Sequence, residues 1–406
     1  MSNLHRAGFH VMAKPSGAIC NLDCAYCFFL SKESLYPGSN FRMPDQVMEA
    51  YVRQIIEAHK TSDVTIAWQG GEPTLMGLEF YRRVMDAVRR FRTPGMTIQH
   101  TIQTNGILID QEWCAFLRES KFLVGVSLDG PRELHDRYRR DKGGHETWER
   151  VMKAIRLLQR EGVEFNILCT VNAANSQQPT AVYRFLRDDV GARHLQFIPI
   201  VERINNNGLT LLQEGSRVTE RSVRPEQYGR FLIEIFEDWV GSDVGRVFVQ
   251  DFDATLAVWL TGTSPLCIFR PVCGAGVALE HNGDLYSCDH FVEPKYLLGN
   301  ILKTPLTELV NSAEQHKFGD YKRDTLPRFC RECPYLFACH GECPKNRFIN
   351  APDGEPGLNY LCTGLKAYFE HVDPYMRAMA NLLKQGHPAA DIMEIVRSAD
   401  TQKEVI

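Results

Sequence analysis

The chain has 406 residues, of which 44% are hydrophobic and 24% charged, and its formal net charge is −4. This is the composition of a globular protein with two or three domains. The sequence has no basic block to bind nucleic acid and no apolar run long enough to span a bilayer. Its first residues lack the apolar core and cleavage site of a secretory signal, so we expect a cytoplasmic protein without a membrane partner.

Residues 9–200 alternate between strand-like and helix-like segments. Short apolar segments predict strands at Phe9–Lys14, Val64–Trp68, Met96–Gln103, Phe122–Leu128, Val163–Val171 and His194–Pro199. Amphipathic segments predict the helices Pro44–Ala58, Leu78–Phe91, Asp110–Glu119, Thr147–Arg160, Thr180–Arg187 and Pro225–Val240. Six βα units in series predict an α/β fold with a parallel sheet, open or closed into a partial (β/α)6 parallel barrel.

The segments with chemical character follow these strands directly. They are Cys20–Cys27, Gln69–Pro73, Thr104–Gly106, Ser127–Gly130, Asn172 and Pro199–Ile200. The carboxyl ends of strands in barrel-like α/β folds converge on one face, which carries the active site. We therefore expect these six segments to build one site.

The chain has thirteen cysteines, and three of them form the spacing C-x3-C-x2-C at Cys20, Cys24 and Cys27. In a reducing compartment, clustered thiols usually hold metal or do chemistry. Three thiolates on a [4Fe–4S] cluster leave one iron open, and that iron can chelate the amino and carboxylate groups of S-adenosylmethionine (SAM). A structural zinc site is the competing interpretation, but zinc commonly takes four ligands in paired C-x2-C units.

Eight further cysteines lie in the C-terminal part of the chain, at Cys267, Cys273, Cys288, Cys330, Cys333, Cys339, Cys343 and Cys362. They suffice for two fully ligated clusters or for two Zn(Cys)4 sites, because soft sulfur suits both metals. The isolated Cys114 and Cys169 are predicted to be buried and not to bind metal. The βα rhythm stops near residue 241, which predicts a barrel domain at 1–240, a linker at 241–266, a cysteine-rich domain at 267–375 and a tail at 376–406.

The first cysteine loop, read as C-x3-C-x-Tyr-C and followed by GGEP, resembles the radical SAM superfamily. The resemblance implies that Tyr26 contacts adenine, that Gly70 and Gly71 let the backbone approach the SAM amino group, and that Glu72 accepts from it. The distal cysteines resemble the SPASM domain, which carries two auxiliary [4Fe–4S] clusters and so implies three clusters in all. Position by position, one auxiliary cluster takes Cys267, Cys273, Cys288 and Cys343, and the other takes Cys330, Cys333, Cys339 and Cys362.

Longer segments, including Gln69–Leu75, Gln103–Gly106 and Leu358–Cys362, resemble the anaerobic sulfatase-maturating enzymes. These convert a cysteine or serine of a sulfatase into Cα-formylglycine (3-oxoalanine). The resemblance implies that the SAM contacts are Tyr26, Gly71, Ser127, Arg139 and Ile200. It also implies that Asp289 is the proton acceptor, which we favour over the alternative roles of a turn cap or a hydrogen bond to the cluster loop.

Other residues keep two interpretations. Gln69 and Gln103 either hold the substrate backbone or make strand-end hydrogen bonds. Arg139 either pairs with the SAM carboxylate or is a surface charge. Phe29 stands where some members of the family have tyrosine, and the polar insertion at 203–224 is a candidate for shaping the peptide entrance.

The resemblance implies two partners: an unfolded or nascent sulfatase polypeptide with a C/S-x-P-x-R segment, and a flavodoxin- or ferredoxin-type reductant. The sequence does not decide between a cysteine and a serine target. Another SPASM maturase, which forms a thioether or carbon–carbon crosslink, would share every cysteine. A non-catalytic iron–sulfur carrier or a zinc-binding interaction module is a third possibility, but a carrier needs no open iron.

Overall fold

The structure is a computed structural model that describes residues 8–59, 62–204 and 215–403. The chain divides into two compact units, each assembled from segments that are distant in sequence. The first unit comprises residues 1–127, 135–165 and 272–321, and the second comprises 128–134, 166–271 and 322–406.

Strands and helices alternate along the first half of the chain, and most strands of the second half are shorter. The strands are β1 His10–Lys14, β2 Asp63–Trp68, β3 Thr97–Thr104, β4 Phe122–Ser127, β5 Phe165–Val171, β6 His194–Pro199, β7 Arg203–Ile204, β8 Arg217–Val218, β9 Phe248–Val249, β10 Gly276–Glu280, β11 Asp284–Tyr286, β12 Leu297–Asn300, β13 Arg347–Asn350 and β14 Pro356–Asn359. The helices are α1 Asp45–Ala58, α2 Leu78–Phe91, α3 Gln111–Glu119, α4 Arg132–His135, α5 Trp148–Arg160, α6 Pro179–Arg184, α7 Pro225–Ser242, α8 Gln250–Thr261, α9 Leu306–Val310, α10 Ala313–Asp324, α11 Arg328–Arg331, α12 Leu336–Cys339, α13 Cys362–Lys384 and α14 Ile392–Lys403.

In the first unit the strands form a sheet in the order β12-β11-β10-β1-β2-β3-β4. The pairs from β10 to β4 are parallel, whereas β11 and β12 are antiparallel additions at the edge. The register of β1 and β10 places Lys14 opposite Glu280, and both residues are buried. The C-terminal end of β1, where the cysteine loop begins, therefore lies beside the end of β10.

An aromatic core fixes the helices of the first unit against this sheet. Trp68 of β2 is fully buried, and its ring meets Tyr51 of α1 at 5.5 Å and Phe80 and Tyr81 of α2 at 5.6 and 5.7 Å. All three pairs are edge-to-face, the geometry that aromatic rings favour. The polar ends of the strands are thus mounted on a rigidly packed layer.

In the second unit β5, β6 and β9 are neighbours in that order, and the pairs β5–β6 and β6–β9 are parallel. The helices α7 and α13 cross at two glycines, Gly229 and Gly364. A Cβ atom on Gly364 would lie 1.9 Å from the Pro225 carbonyl oxygen, so only glycine permits this contact. The close crossing holds the helix that Cys362 begins against the helical core.

The predicted α/β class is confirmed, and each of the six predicted strands and six helices is present with end shifts of a few residues. The short strands β7 to β14 were not predicted, since two to five residues carry too little periodicity. The predicted domain boundaries stay a prediction, as does the role of the 203–224 insertion, of which residues 205–214 lie outside the described residues. In the part of the chain that the structure describes, no helix is long and apolar enough to cross a membrane.

Candidate active site

The loop of Cys20, Cys24 and Cys27 follows β1 in the first unit and is fastened at several points. A turn closes where the Cys27 amide donates to the Cys24 carbonyl at 2.9 Å, and the Leu22 amide donates to the Cys20 sulfur at 3.3 Å. Asn105, which directly follows β3, donates its side-chain amide to the same sulfur at 3.5 Å. The three thiols are partly buried and make no disulfide.

The electrostatics of this loop suit a site that is filled by a cation. Burial raises the pKa of Cys20 to about 11, and the Glu72 charge adds to the rise. Burial also raises the pKa of Cys27, against hydrogen bonds from the backbone and the positive charges of Arg139 and Lys14. Thiols of this kind stay protonated until a metal replaces the proton. The donor set therefore fits an iron–sulfur cluster.

Gly70 and Gly71 bring the end of β2 against the start of the cysteine loop. The Gly71 amide donates to the Gly17 carbonyl at 2.7 Å, and the Glu72 amide donates to the Ile19 carbonyl at 2.8 Å. A Cβ atom on Gly71 would lie only 2.0 Å from the Ile19 oxygen. Glycine at 71 is thus required by the fold itself, and its predicted contact with SAM stays a prediction.

Glu72 is fully buried and joins the ends of β2 and β3. Its Oε1 accepts from the Thr74 amide at 3.0 Å, the Thr74 hydroxyl at 2.6 Å and the Thr104 hydroxyl at 2.7 Å. Its Oε2 accepts from the Asn105 amide at 2.8 Å. Burial raises the pKa of this carboxyl, and these hydrogen bonds oppose the rise. The geometry assigns Glu72 a structural role, and its predicted contact with the SAM ammonium stays a prediction.

Five further predicted site residues lie in the first unit. The Arg139 guanidinium lies 5.5 Å from the centre of the Tyr26 ring, and both side chains are buried, so Arg139 is not a surface charge. The side-chain amide of Gln103 donates to the Ser127 hydroxyl at 3.2 Å. Gln69 is half-buried, and its backbone amide donates to the Ala13 carbonyl at 2.8 Å.

Asp289 lies in the first unit, beside the cysteine loop. Its carboxylate forms an ion pair with the ammonium of Lys14, the last residue of β1, whose side chain is 3% exposed. The same ammonium lies 4.4 Å from the centre of the Phe29 ring. The ring of His290 is 5.5 Å from that of Phe28, which follows Cys27. The predicted base is therefore held close to the first cysteine loop by a residue that the sequence analysis missed.

Among the predicted auxiliary ligands, four gather in the second unit. The Cys333 amide donates to the Cys330 carbonyl at 3.2 Å. Burial and the thiols of Cys330 and Cys333 raise the pKa of Cys362 to about 11, and burial with Cys362 raises that of Cys339 to about 12. Cys362 also packs against the small core cluster that contains Cys330. The assignment of these four cysteines to one auxiliary cluster stays a prediction.

The other four predicted ligands are divided between the units, with Cys273 and Cys288 in the first and Cys267 and Cys343 in the second. In the first unit, Gln315 donates its side-chain amide to the carbonyls of Gly274 and Ser287, each at 3.1 Å, and so orders the loops of both cysteines. Ile200 also belongs to the second unit, where its amide donates to the Val171 carbonyl at 2.8 Å. Cys114 and Cys169 are fully buried, as predicted.

Within the described ranges, no three Cys, His, Asp or Glu side chains converge as the ligands of one metal ion would. The thiolates of a [4Fe–4S] cluster need not converge on one point, because each of them binds a separate iron atom.

Comparison with known proteins identifies the class. Residues 15–186 match the model of the radical SAM superfamily, and residues 267–334 match an iron–sulfur cluster-binding domain. A serine-type anaerobic sulfatase-maturating enzyme of Bacteroides thetaiotaomicron is 44% identical over 402 residues, covering 97% of each chain. A cysteine-type enzyme of Clostridium perfringens is 34% identical over 382 residues, covering 92% of this chain and 99% of its own.

A solved structure gives the same answer. Native anSMEcpe with bound AdoMet and the Cp18Cys peptide superposes with a TM-score of 0.82 at 33% identity, over 92% of this chain and 99% of its own. The fold and the cysteine sets define a radical SAM enzyme with an iron–sulfur cluster-binding domain. The chain belongs to the anaerobic sulfatase-maturating enzymes. This confirms the predicted family and the expectation of [4Fe–4S] clusters and SAM as cofactors. Which cysteines bind each cluster stays a prediction.

Proposed function

We propose that this enzyme oxidises one cysteine or serine of a sulfatase to Cα-formylglycine and that Asp289 takes the proton which the target side chain loses. The family membership supports the reaction. The observation that carries the residue assignment is the buried ion pair between Lys14 and Asp289, next to the ligand Cys288.

When bound, SAM and the three [4Fe–4S] clusters would supply two things: a 5′-deoxyadenosyl radical, which removes a hydrogen atom from the target β-carbon, and an acceptor for the electron that this carbon then gives up. Cys20, Cys24 and Cys27 hold the first cluster. Tyr26, Gly70, Gly71, Ser127, Arg139 and Ile200 contact SAM, with Glu72 supporting that pocket. The eight distal cysteines hold the auxiliary clusters in the pairing that the resemblance implies.

Residues of this chain accept the proton that the target side chain loses. The target thiol or hydroxyl must lose its proton as its carbon is oxidised, and a carboxylate within reach accelerates that transfer. Lys14 fixes one oxygen of Asp289, which restricts the carboxylate to a single orientation. Asp289 is 17% exposed whereas Lys14 is 3% exposed, so the aspartate is the more accessible member of the pair. Gln69 and Gln103, at the ends of β2 and β3, hold the substrate backbone.

Two further assignments complete the proposal. The substrate is the unfolded or nascent sulfatase segment with the pattern C/S-x-P-x-R, and the reductant is of the flavodoxin or ferredoxin type. A serine-type relative and a cysteine-type relative each match more than 90% of this chain. Because similarity alone does not separate the two target residues, both are tested side by side. We also propose a cytoplasmic location, because a reducing compartment keeps the thirteen cysteines from forming disulfides.

The test is an anaerobic incubation of the iron-loaded enzyme with SAM, reductant and matched C-x-P-x-R and S-x-P-x-R peptides. The proposal expects formylglycine, detected by mass and by an aldehyde-reactive hydrazine, together with 5′-deoxyadenosine. A peptide in which alanine replaces the target residue is the control and should give no aldehyde. Cleavage of SAM without aldehyde in either peptide would contradict the proposal and point to a crosslinking maturase.

A further inference from the structure

Lys322 of α10 is fully buried, and it is the least exposed lysine in the described part of the chain. Its ammonium donates to the backbone carbonyl of Cys267 at 3.0 Å and to that of Ile268 at 2.6 Å. No carboxylate among the described residues lies within ion-pair distance of it. Lysine is rarely buried without such a partner, because its charge loses hydration. A buried ammonium directed at the backbone of a cluster ligand therefore calls for an explanation.

A second unusual feature lies in the same unit, between Cys339 and Cys343. The three residues between these cysteines, His340, Gly341 and Glu342, all have left-handed backbone angles, with φ of 47°, 73° and 51°. Two of them are not glycine, and such strain persists only where the surroundings enforce it. Here the Glu342 carboxylate accepts from the side-chain amides of Asn346 at 3.0 Å and Asn359 at 2.6 Å.

The backbone of Lys322 is fixed too, since Arg347 donates to its carbonyl at 2.7 Å. The ammonium is thus a fixed positive charge in a low-dielectric environment, where charges act over longer distances than in water.

We propose that Lys322 is a positioning residue for the auxiliary cluster that Cys267 ligates and that its charge raises the reduction potential of that cluster. The inference rests on the ligand assignment made in the proposed function. A cluster gains one negative charge when it is reduced, so a nearby positive charge stabilises the reduced form. Lys322 thereby favours transfer of the single electron that the substrate carbon gives up.

The experiment is a redox titration of the full-length, iron-loaded protein, monitored by electron paramagnetic resonance, for the wild type, Lys322→Met and Lys322→Gln. The cluster of interest is identified by its loss in Cys267→Ala. At a fixed potential, the ratio of reduced to oxidised cluster should fall at least about tenfold in both variants, which is about 59 mV for a one-electron couple. The other clusters should keep their potentials.

Gln315→Met is the matched control. Gln315 is equally buried and also donates twice to carbonyls beside cluster ligands, but it carries no charge. The proposal is overturned if the Lys322 variants shift the potential no more than Gln315→Met, or shift it upward. If neither Lys322→Met nor Lys322→Gln retains the cluster, Lys322→Arg is measured instead. A cluster retained in Lys322→Arg supports the need for a positive charge at this position, and a cluster lost in that variant contradicts it. Aldehyde formation by the wild type is measured separately. A wild type that forms no aldehyde contradicts the proposed function, whereas an unchanged cluster potential in the Lys322 variants contradicts only this inference.

Discussion

Replacing Lys14 by methionine removes the ammonium that fixes Asp289 and keeps the length of the side chain. The side chains of Lys14 and Asp289 are 3% and 17% exposed. Removing one partner of a buried ion pair costs about 3–5 kcal/mol, and the partial exposure of Asp289 places this pair near the lower limit. Loss of the contact with the Phe29 ring adds about 0.5–2 kcal/mol. We expect the free energy of unfolding to fall by about 3.5–5 kcal/mol.

The effect on the reaction follows from the same contact. A positioned general base contributes about 10²–10⁴-fold to the rate. Asp289→Asn should therefore lose most of the aldehyde product, whereas Lys14→Met disorients the base and should lose about 10- to 100-fold. Cleavage of SAM should continue in both variants, because neither residue is a ligand of the first cluster. The predicted signature is a low ratio of formylglycine to 5′-deoxyadenosine.

The assay measures both products in one anaerobic reaction, together with urea unfolding of each variant. Lys32→Met is the matched control, since Lys32 is also 3% exposed but lies 3.9 Å from Glu293 and makes no ion pair with Asp289. The two variants are then combined with Asp289→Asn in a double-mutant cycle. The reasoning is refuted if Lys14→Met keeps the wild-type product ratio, or if it lowers product by the same factor when Asp289 is already asparagine.

Three further predictions follow from the buried contacts of the two units. Gly71→Ala should cost the protein about four irons, because the new Cβ displaces Ile19 and its cysteine loop; unchanged iron content in metal analysis would contradict this. Glu72→Gln should lower the free energy of unfolding by about 1–3 kcal/mol in a urea titration, because an amide nitrogen faces the donors of Glu72; an unchanged midpoint would show that the carboxylate is dispensable. Burial raises the pKa of Asp251 in the second unit to about 7 from 3.8, so the folded state binds its proton more tightly and wild-type stability should fall as pH rises from about 4 to about 7. Asp251→Asn should remove this loss, making the variant more stable than the wild type at pH 8, by at most about 4 kcal/mol, with a smaller gap at pH 5; equal stability at both values would contradict the raised pKa.

The sequence predicted the strands and helices of the first half because their periodicity runs over whole elements. In α2, for example, Phe80, Tyr81, Val84 and Val88 recur at helical spacing, and all four are buried. The cysteine ligands were predictable for a different reason, because thiol spacing is a local property of the chain. The short strand β10, which pairs with β1, has neither signal and was missed.

The charged partners of the site could not be predicted, because they depend on contacts between distant segments. Lys14 and Asp289 are 275 residues apart, and nothing in either neighbourhood marks them as a pair. One signal was present: Lys14 ends an apolar strand directly before the cysteine loop, where a cation is unexpected. Lys322 gave no signal, since it lies in the polar helix α10 among other charged residues.

The functional reading of Glu72 illustrates the opposite difficulty. Its position in GGEP suggested a contact with SAM, and the structure shows four hydrogen bonds from protein donors to its carboxylate. A carboxylate that follows two glycines looks the same in sequence whether it faces a ligand or joins two strand ends. Only the positions of Thr104 and Asn105, more than thirty residues further along the chain, separate the two roles.

The central claim is that this enzyme makes formylglycine with Asp289 as the proton acceptor. The most direct measurement quantifies 5′-deoxyadenosine and peptide aldehyde together, for the wild type and Asp289→Asn, with the cysteine and serine peptides. The account predicts aldehyde in step with 5′-deoxyadenosine for the wild type on at least one peptide, and 5′-deoxyadenosine with little aldehyde for Asp289→Asn. Equal aldehyde yields from the two proteins would contradict the assignment of Asp289, and 5′-deoxyadenosine without aldehyde from the wild type would contradict the reaction itself.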